Sequence, residues 1–479
     1  EVSEHWNPFG WEKLVQEALD YIPHPLKDRP LNFVDYVKSA DWETSGSSSV
    51  GRVGIELDDG KVKTVKARKN TVAYVTDLGE LAHKARYNDK QVNISVTKSE
   101  LGKVRIAVAG DIETYLQTAW LFTFVNHGYL EWPGSTVEED VSKQTDRMCE
   151  MLEIVKHAYG LPYDYDGFDH QPTLDELVVI MDFIFSRAIT NVPAEMRDEY
   201  NDVKNLVLKG FRNGILKTYA DGKEQTVDIT GGLMSGHRAT SVIGNAWNTC
   251  MTYLANSVLE QIKGSPLKFW IRGDDSAIVS DNWADLSLMN ASYDTFGAVA
   301  GVGKFSIRRN GLEFLRVWYA ERCYGYPSRS IPGITQRKPW SSSPWSEEMV
   351  VRALHEVFMT LQRRGLDVKN VWDSVANRWC VLHRLPRAVV QVPTALGGFG
   401  IEPWDGKTYL THHIPRVERP PIKFTNITQD AIKKTLLRTQ SVGVWLNYDD
   451  ARKLTQERLA NTMRGDDVIM ISREYRQAW

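Results

Sequence analysis

Hydrophobic residues recur along this chain with two periods. A helical spacing runs through Trp11–Ile22, Ile112–His127, Val137–Tyr159, Leu174–Ile189, Ser241–Ile262 and Trp283–Phe296. A strand period appears elsewhere. The apolar runs Phe269-Trp270-Ile271 and Ala277-Ile278-Val279 flank Arg272-Gly273-Asp274-Asp275-Ser276, which predicts a β-hairpin carrying two adjacent carboxylates at its tip. Alternation over residues 103–108 predicts a strand with Lys103 and Arg105 on one face. Residues 214–230 predict a hairpin turning at Asp221-Gly222, and Lys304–Ile307 and Glu313–Tyr319 predict two further strands. The Ser/Gly-rich stretch 41–52 predicts a loop, and the Pro-, Ser- and Trp-rich stretch 326–346 a domain junction. From Glu347 onward the pattern is mostly helical, broken at Leu396–Gly400.

Three polar constellations interrupt this pattern. Asp274 and Asp275 repel each other and resist burial, so their turn is either simply solvated or a cation site; hard oxygens suit Mg²⁺ or Mn²⁺. A second acidic cluster runs Tyr163-Asp164-Tyr165-Asp166-Gly167-Phe168-Asp169-His170. It is not an EF-hand: counted from Asp164, the fifth position is Phe168, the sixth is Asp169 instead of Gly, and the twelfth is Asp175 instead of Glu. An acidic lead-in to the following helix is the structural alternative. Third, Lys98, Lys103 and Arg105 surround Gly102, a pattern that suits a triphosphate or a solvated strand face. The loop Gly231–Thr240 leads into the long helix, where Asn245 and Asn248 sit among apolar residues and are expected to have partners.

Composition narrows the function classes. With 479 residues the chain can build several lobes around a substantial core. Lys plus Arg number 58 against 61 Asp plus Glu, a net charge of −3, so any nucleic-acid site is a local groove. Cys149, Cys250, Cys323 and Cys380 are far apart, which argues against a zinc ribbon or disulfide framework and for a reducing compartment. No apolar run reaches membrane-spanning length, so no membrane partner is expected. No signal peptide is apparent, the two sequons (Asn93, Asn290) read as chance, and the start at Glu1 suggests a piece of a longer product.

Taken in order, Asp164…Asp169, then Ser235-Gly236…Thr240…Asn248, then Gly273-Asp274-Asp275 resemble motifs A, B and C in the palm of viral RNA-dependent RNA polymerases. The stretches around Asp164 and Ser235 are most like those of double-stranded RNA viruses of the totivirus and chrysovirus kind. Lys98–Arg105 resembles motif F, Glu313-Phe314-Leu315-Arg316-Val317 motif E, and residues 42–52 motif G. The resemblance implies an α+β right-hand fold: fingers 1–154, palm 155–190, fingers insertion 191–230, palm 231–325 and helical thumb 326–479. It implies template-directed transfer of NTPs with two Mg²⁺ (or Mn²⁺) ions on Asp164, Asp274, Asp275 and the Tyr165 carbonyl. Lys98, Lys103 and Arg105 would hold the triphosphate, Ser235 and Gly236 would let the loop backbone approach the template and nascent pair, and these two with Thr240 would belong to the NTP-binding set. Asp169 with Asn245 or Asn248 would read the ribose 2′-hydroxyl, and Lys304 would be the general acid for pyrophosphate.

One position departs from the family. Four residues after Thr240, where an Asn is usual, stands Gly244. Implied partners are RNA template and product, NTPs and a capsid protein, fused or bound, in a virion interior or the host cytoplasm. Two other readings remain: a reverse-transcriptase-like polymerase, and an inactive palm serving as an RNA-binding scaffold in a virion.

Overall fold

The computed structural model describes residues 10–20, 26, 30–44, 46–56, 60–100, 103–125, 131–220, 223–301, 306–332, 347–391, 399–401, 429–441 and 445–463. Helices α1 (Trp11–Ala18) and α2 (Phe33–Ser39) precede a hairpin of β1 (Ser47–Glu56) and β2 (Val62–Arg68), then α3 (Lys69–Val75) and α4 (Leu78–Arg86). Strands β3 (Val92–Glu100) and β4 (Lys103–Ala109) follow, then α5 (Ile112–Phe122) and α6 (Val141–Val155). Next come β5 (Tyr159–Tyr163), α7 (Leu174–Ala188), α8 (Arg197–Arg212), β6 (Ile215–Ala220) and β7 (Lys223–Asp228). The long α9 (Thr240–Lys263) leads to β8 (Lys268–Arg272), β9 (Asp275–Ser280) and α10 (Trp283–Thr295). Short strands β10 (Arg308–Arg309), β11 (Leu312–Phe314), β12 (Val317–Tyr319) and β13 (Cys323–Gly325) precede α11 (Glu347–Arg363), α12 (Lys369–Leu382), α13 (Gln429–Ser441) and α14 (Tyr448–Met463).

Two four-stranded sheets bear the acidic and basic stretches. The first runs β10-β5-β9-β8, antiparallel throughout, and rests on α9 and α10. The second runs β4-β3-β6-β7, with β3 and β6 parallel. Local signals place the helices around them. Asp111 caps α5 by accepting the Thr114 N–H at 2.6 Å, and its other oxygen accepts Val92 N–H at 2.7 Å, tying that helix to β3. Thr173 and Glu176 form a capping box at α7. Gly264, at φ 81°, ends α9 in the left-handed conformation.

The main core is built around α9, whose Ile243, Ala246, Trp247, Cys250, Met251, Leu254 and Leu259 are buried against α1, α7 and α10. A second core joins α11 and α12 through Phe358, Leu361, Trp372 and Trp379. The last two helices pack on α2 and α3, not on this second core, and Lys434 is buried there with Nζ donating to the Ala73 carbonyl.

Several expected elements are redrawn. The expected loop 41–52 contains the start of β1, which gains a strand ladder from β2 that Ser-rich composition does not announce. The single strand expected over Glu313–Tyr319 is two, β11 and β12, folded at Leu315 and Arg316 with φ of 50° and 62°. No Gly or Asn marks that turn, and two non-glycine residues in the left-handed region carry strain. The Val137–Tyr159 helix is shorter, because Tyr159 is drawn into β5. The Asp221-Gly222 turn, Lys304 and Phe305 of the expected strand Lys304–Ile307, and most of 326–346 lie outside the described residues, while Ser306 and Ile307 precede β10 without joining a strand.

Trp247 is wholly buried, its Nε1 donating to Glu176 Oε2 at 2.9 Å. Replacing it by Ala is expected to destabilise the fold by about 3–5 kcal/mol. The midpoint of urea unfolding measures this, and an unchanged midpoint would contradict the packing described.

Candidate active site

The β8–β9 hairpin pairs Arg272 with Asp275, leaving a two-residue turn of Gly273 and Asp274. Gly273 has φ 62°, at the first central position, where a type II′ turn takes glycine. Beside it, β5 pairs Tyr163 with Ser276, so one step further the chain brings Asp164 opposite Asp275. The strand continues irregularly: Gly301 donates to the Asp164 carbonyl at 2.8 Å and Asp166 donates to the Val299 carbonyl at 2.9 Å. These two bonds flank Tyr165, which turns its own N–H and C=O to the other side, toward the hairpin.

Charge agrees with this convergence. Burial first, then Asp274 and Asp164, push the Asp275 carboxyl up to about 6, with Arg316 pulling it back. Asp169 follows Gly167 (φ 59°) in a single tight turn. Its carboxyl is raised by burial and then by Asp274, and lowered by His170 and Arg105. Carboxylates from three stretches and a guanidinium from β4 therefore share one field. Lys98 pairs across from Arg105 and stands on the same sheet face. The side chain of Lys103, and all of Lys304, lie outside the described residues.

The loop before α9 is bound to β4. Ser235 Oγ accepts the Val108 N–H at 3.0 Å, and Gly236 bridges to Ala109. A Cβ on Gly236 would lie 1.9 Å from the Val108 carbonyl oxygen, so no larger residue fits without parting loop and strand. Thr240 Oγ1 donates to the Met234 carbonyl, closing the loop onto the helix.

The structure places Asn245 and Asn248, the expected sugar readers, inside the fold. Both are fully buried, and their amides are engaged within the protein. Asn245 donates to Ser135 Oγ at 2.8 Å and accepts the Gly273 N–H at 3.0 Å. Asn248 donates to the Gly273 carbonyl and to Ser276 Oγ, both at 2.9 Å, and accepts the Tyr165 hydroxyl at 2.8 Å. Gly244, at the place where an asparagine is usual, has no side chain to make that contact, and a Cβ there would lie 2.9 Å from Leu233 Cδ2 and 3.3 Å from the Phe168 ring. Of the expected sugar-reading set, Asp169 alone keeps an exposed edge.

Sequence reasoning missed three participants. Ser276 follows the acidic pair directly, but its inward face shows only in the sheet. Ser135 lies in segment 134–136, which lines the edge of β8: Ile271 donates to the Gly134 carbonyl at 2.7 Å, and Thr136 donates back at 2.9 Å. Arg316 stood in a stretch read as a strand, which hid its place at a turn facing Asp275.

A family model described as viral RNA-directed RNA-polymerase matches residues 79–335. The chain is 24% identical over 408 residues to the probable RNA-directed RNA polymerase of Giardia lamblia virus (isolate Wang), covering 77% of this chain and 20% of that protein. It is 21% identical over 436 residues to the RNA-directed RNA polymerase of Penicillium chrysogenum virus (isolate Caston/2003), covering 84% and 37%. The chain thus spans only 20% and 37% of the length of these relatives. Its fold is similar to that of an insertion-loop deletion mutant of the RNA-dependent RNA polymerase of a human picorbirnavirus, with TM-score 0.52, 12% identity, and coverage of 80% of this chain and 74% of that one. The expected right-hand α+β architecture is the fold observed.

The raised Asp275 carboxyl has a stability consequence. Because it is held near 6 against an ordinary 3.8, the folded protein binds this proton more tightly than the unfolded chain does. Stability therefore falls as pH rises through that window, and the cost is complete above it. Asp275→Asn is expected to stabilise the protein at neutral pH by on the order of 1 kcal/mol, allowing for solvent at its exposed edge. Urea unfolding at neutral pH and near pH 4 tests this, since the gain should vanish at the lower pH.

Proposed function

The chain belongs to the viral RNA-directed RNA-polymerase family, and from that premise we propose that it copies RNA by joining NTPs on a template. One observation carries the reading: Asp164 arrives opposite Asp275 on the neighbouring strand, beside the turn that presents Asp274. Among the described residues no three Asp, Glu, His or Cys side chains already form a metal cage. Mg²⁺ keeps several waters and is bound in such sites through one or two carboxylates plus substrate phosphates. The donor set suits such ions: hard oxygens on Asp164, Asp274 and Asp275, the last raised by burial and then by the other two, with the Tyr165 carbonyl turned the same way. Bound there, divalent cations would activate the attacking 3′-hydroxyl and neutralise charge on the leaving pyrophosphate.

The remaining roles belong to the chain itself. Arg105 holds the triphosphate bidentately, with Lys98 and Lys103 beside it, and balances the charge of Asp169. Asp169 accepts from the ribose 2′-hydroxyl without help from an asparagine. Ser235 and Gly236 set the template-facing loop against β4, and Lys304 donates a proton to the departing pyrophosphate. We assign residues 1–154 and 191–230 to the fingers, 155–190 and 231–325 to the palm, and 326–479 to the thumb. The context is replication and transcription of a double-stranded RNA genome in a virion or the host cytoplasm, with a capsid protein, fused or bound, as partner.

Asp274→Ala is expected to abolish NTP incorporation on an RNA template while RNA binding survives. Full activity in that variant would remove the proposed metal site. For Asp169→Ala, discrimination against dNTPs should relax more than NTP use slows; an unchanged NTP/dNTP ratio would place sugar reading elsewhere.

A further inference from the structure

We infer that Asn245 and Asn248 are positioning residues which together set the separation of Asp164 and Asp274. The inference rests on the polymerase reading above and deepens it.

A two-residue hairpin turn leaves the peptide groups of its central residues outside the strand ladder, and buried groups of that kind need partners. At Gly273 both are taken by α9. Asn245 Oδ1 accepts the Gly273 N–H at 3.0 Å, and Asn248 Nδ2 donates to the Gly273 carbonyl at 2.9 Å. The two asparagines are three residues apart on one face of the helix, so they grip the residue preceding Asp274 from both sides. Chemistry fixes both amide orientations, because an N–H only donates and a carbonyl only accepts.

Asn248 also reaches the other carboxylate strand. Its Oδ1 accepts the hydroxyl of Tyr165, the residue after Asp164, at 2.8 Å. One buried side chain thus joins the neighbour of Asp164 to the neighbour of Asp274. Its capacity is used up: both N–H groups donate, to Gly273 and Ser276, and Oδ1 also receives Ser276 Oγ at 3.1 Å and Thr252 Oγ1 at 3.3 Å. No donor or acceptor remains for a sugar. Asn245 is held from behind by Ser135, on the segment that lines the edge of β8. The assembly is neutral, so it fixes the carboxylates without consuming their charge.

The test uses the 479-residue chain with RNA template, NTPs and Mg²⁺. Asn248→Asp keeps the shape but sets an oxygen against the Gly273 carbonyl. We expect kcat to fall about 10- to 100-fold, as a small misplacement of reacting groups does, with KM for NTP and the NTP/dNTP preference unchanged. Collapse of the NTP/dNTP preference with kcat retained would overturn the inference in favour of a sugar contact. Should that variant not fold, Asn245 decides. Asn245→Asp keeps the acceptor for Gly273 N–H and lets the Ser135 hydroxyl turn to donate, so it should outperform Asn245→Leu; equal losses overturn the inference. Mn²⁺ titration of the nucleotide-free chain gives a readout independent of turnover: weaker binding in Asn248→Asp is expected, and unaltered affinity would count against it. If the unaltered chain incorporates no nucleotide, the polymerase reading fails, while the Mn²⁺ result still judges the spacing.

Discussion

Mutual repulsion among the carboxylates of Asp164, Asp169, Asp274 and Asp275 is the constraint around which this protein is arranged. Left to themselves, such groups move apart into water or take up protons, and Asp275 is raised to about 6 by burial first and then by Asp274 and Asp164. The fold holds them together without neutralising them. Arg105 and Arg316 offset part of the charge, on Asp169 and Asp275 respectively. The holding is done by uncharged groups: a strand ladder beneath, and two buried asparagines behind. A site kept short of positive charge in this way remains receptive to cations supplied with the substrate.

The rigidity of that arrangement traces to α9. Its buried face carries Trp247, Met251 and Leu254 into the main core, while Asn245 and Asn248 on the adjoining face reach the hairpin and Thr252 donates to Asn248. Thr252 meets the Tyr293 hydroxyl from α10, and Tyr293 stacks on Tyr163, with ring centroids 4.0 Å apart. Packing and hydrogen bonding therefore act on the same few residues. Displacement of the hairpin would have to break satisfied buried hydrogen bonds, which costs more than each bond contributes on its own.

A second connection runs from the sheet bearing Asp275 to the sheet bearing Arg105. The loop 231–239 is fastened to β4 through Ser235 and Gly236, and to the turn after Asp164 through Leu233 N–H, which donates to the Asp169 carbonyl at 2.7 Å. Position 236 tolerates nothing beyond hydrogen, and position 244 is pressed by Leu233 and Phe168. Close approach of backbones thus accounts for Gly236, whereas at Gly244 it is the side chains of Leu233 and Phe168 that crowd the position.

By itself the sequence determined the local elements whose stability is local: the helices with strong apolar faces, the hairpin at Gly273-Asp274, and the acidic stretch at Asp164. It also determined the family, because the order of its motifs survives without coordinates. It did not determine partners. Asn245 and Asn248 were legible as buried polar residues that needed hydrogen bonds, yet which groups satisfied them depended on a turn 25 to 28 residues away. The split of Glu313–Tyr319 into two strands was equally hidden, since Leu315 and Arg316 are held in the left-handed region by the surrounding sheet and not by their own preference. Propensity acts between neighbours along the chain, whereas burial and hydrogen-bond satisfaction are settled between neighbours in space, and only the tertiary structure supplies those.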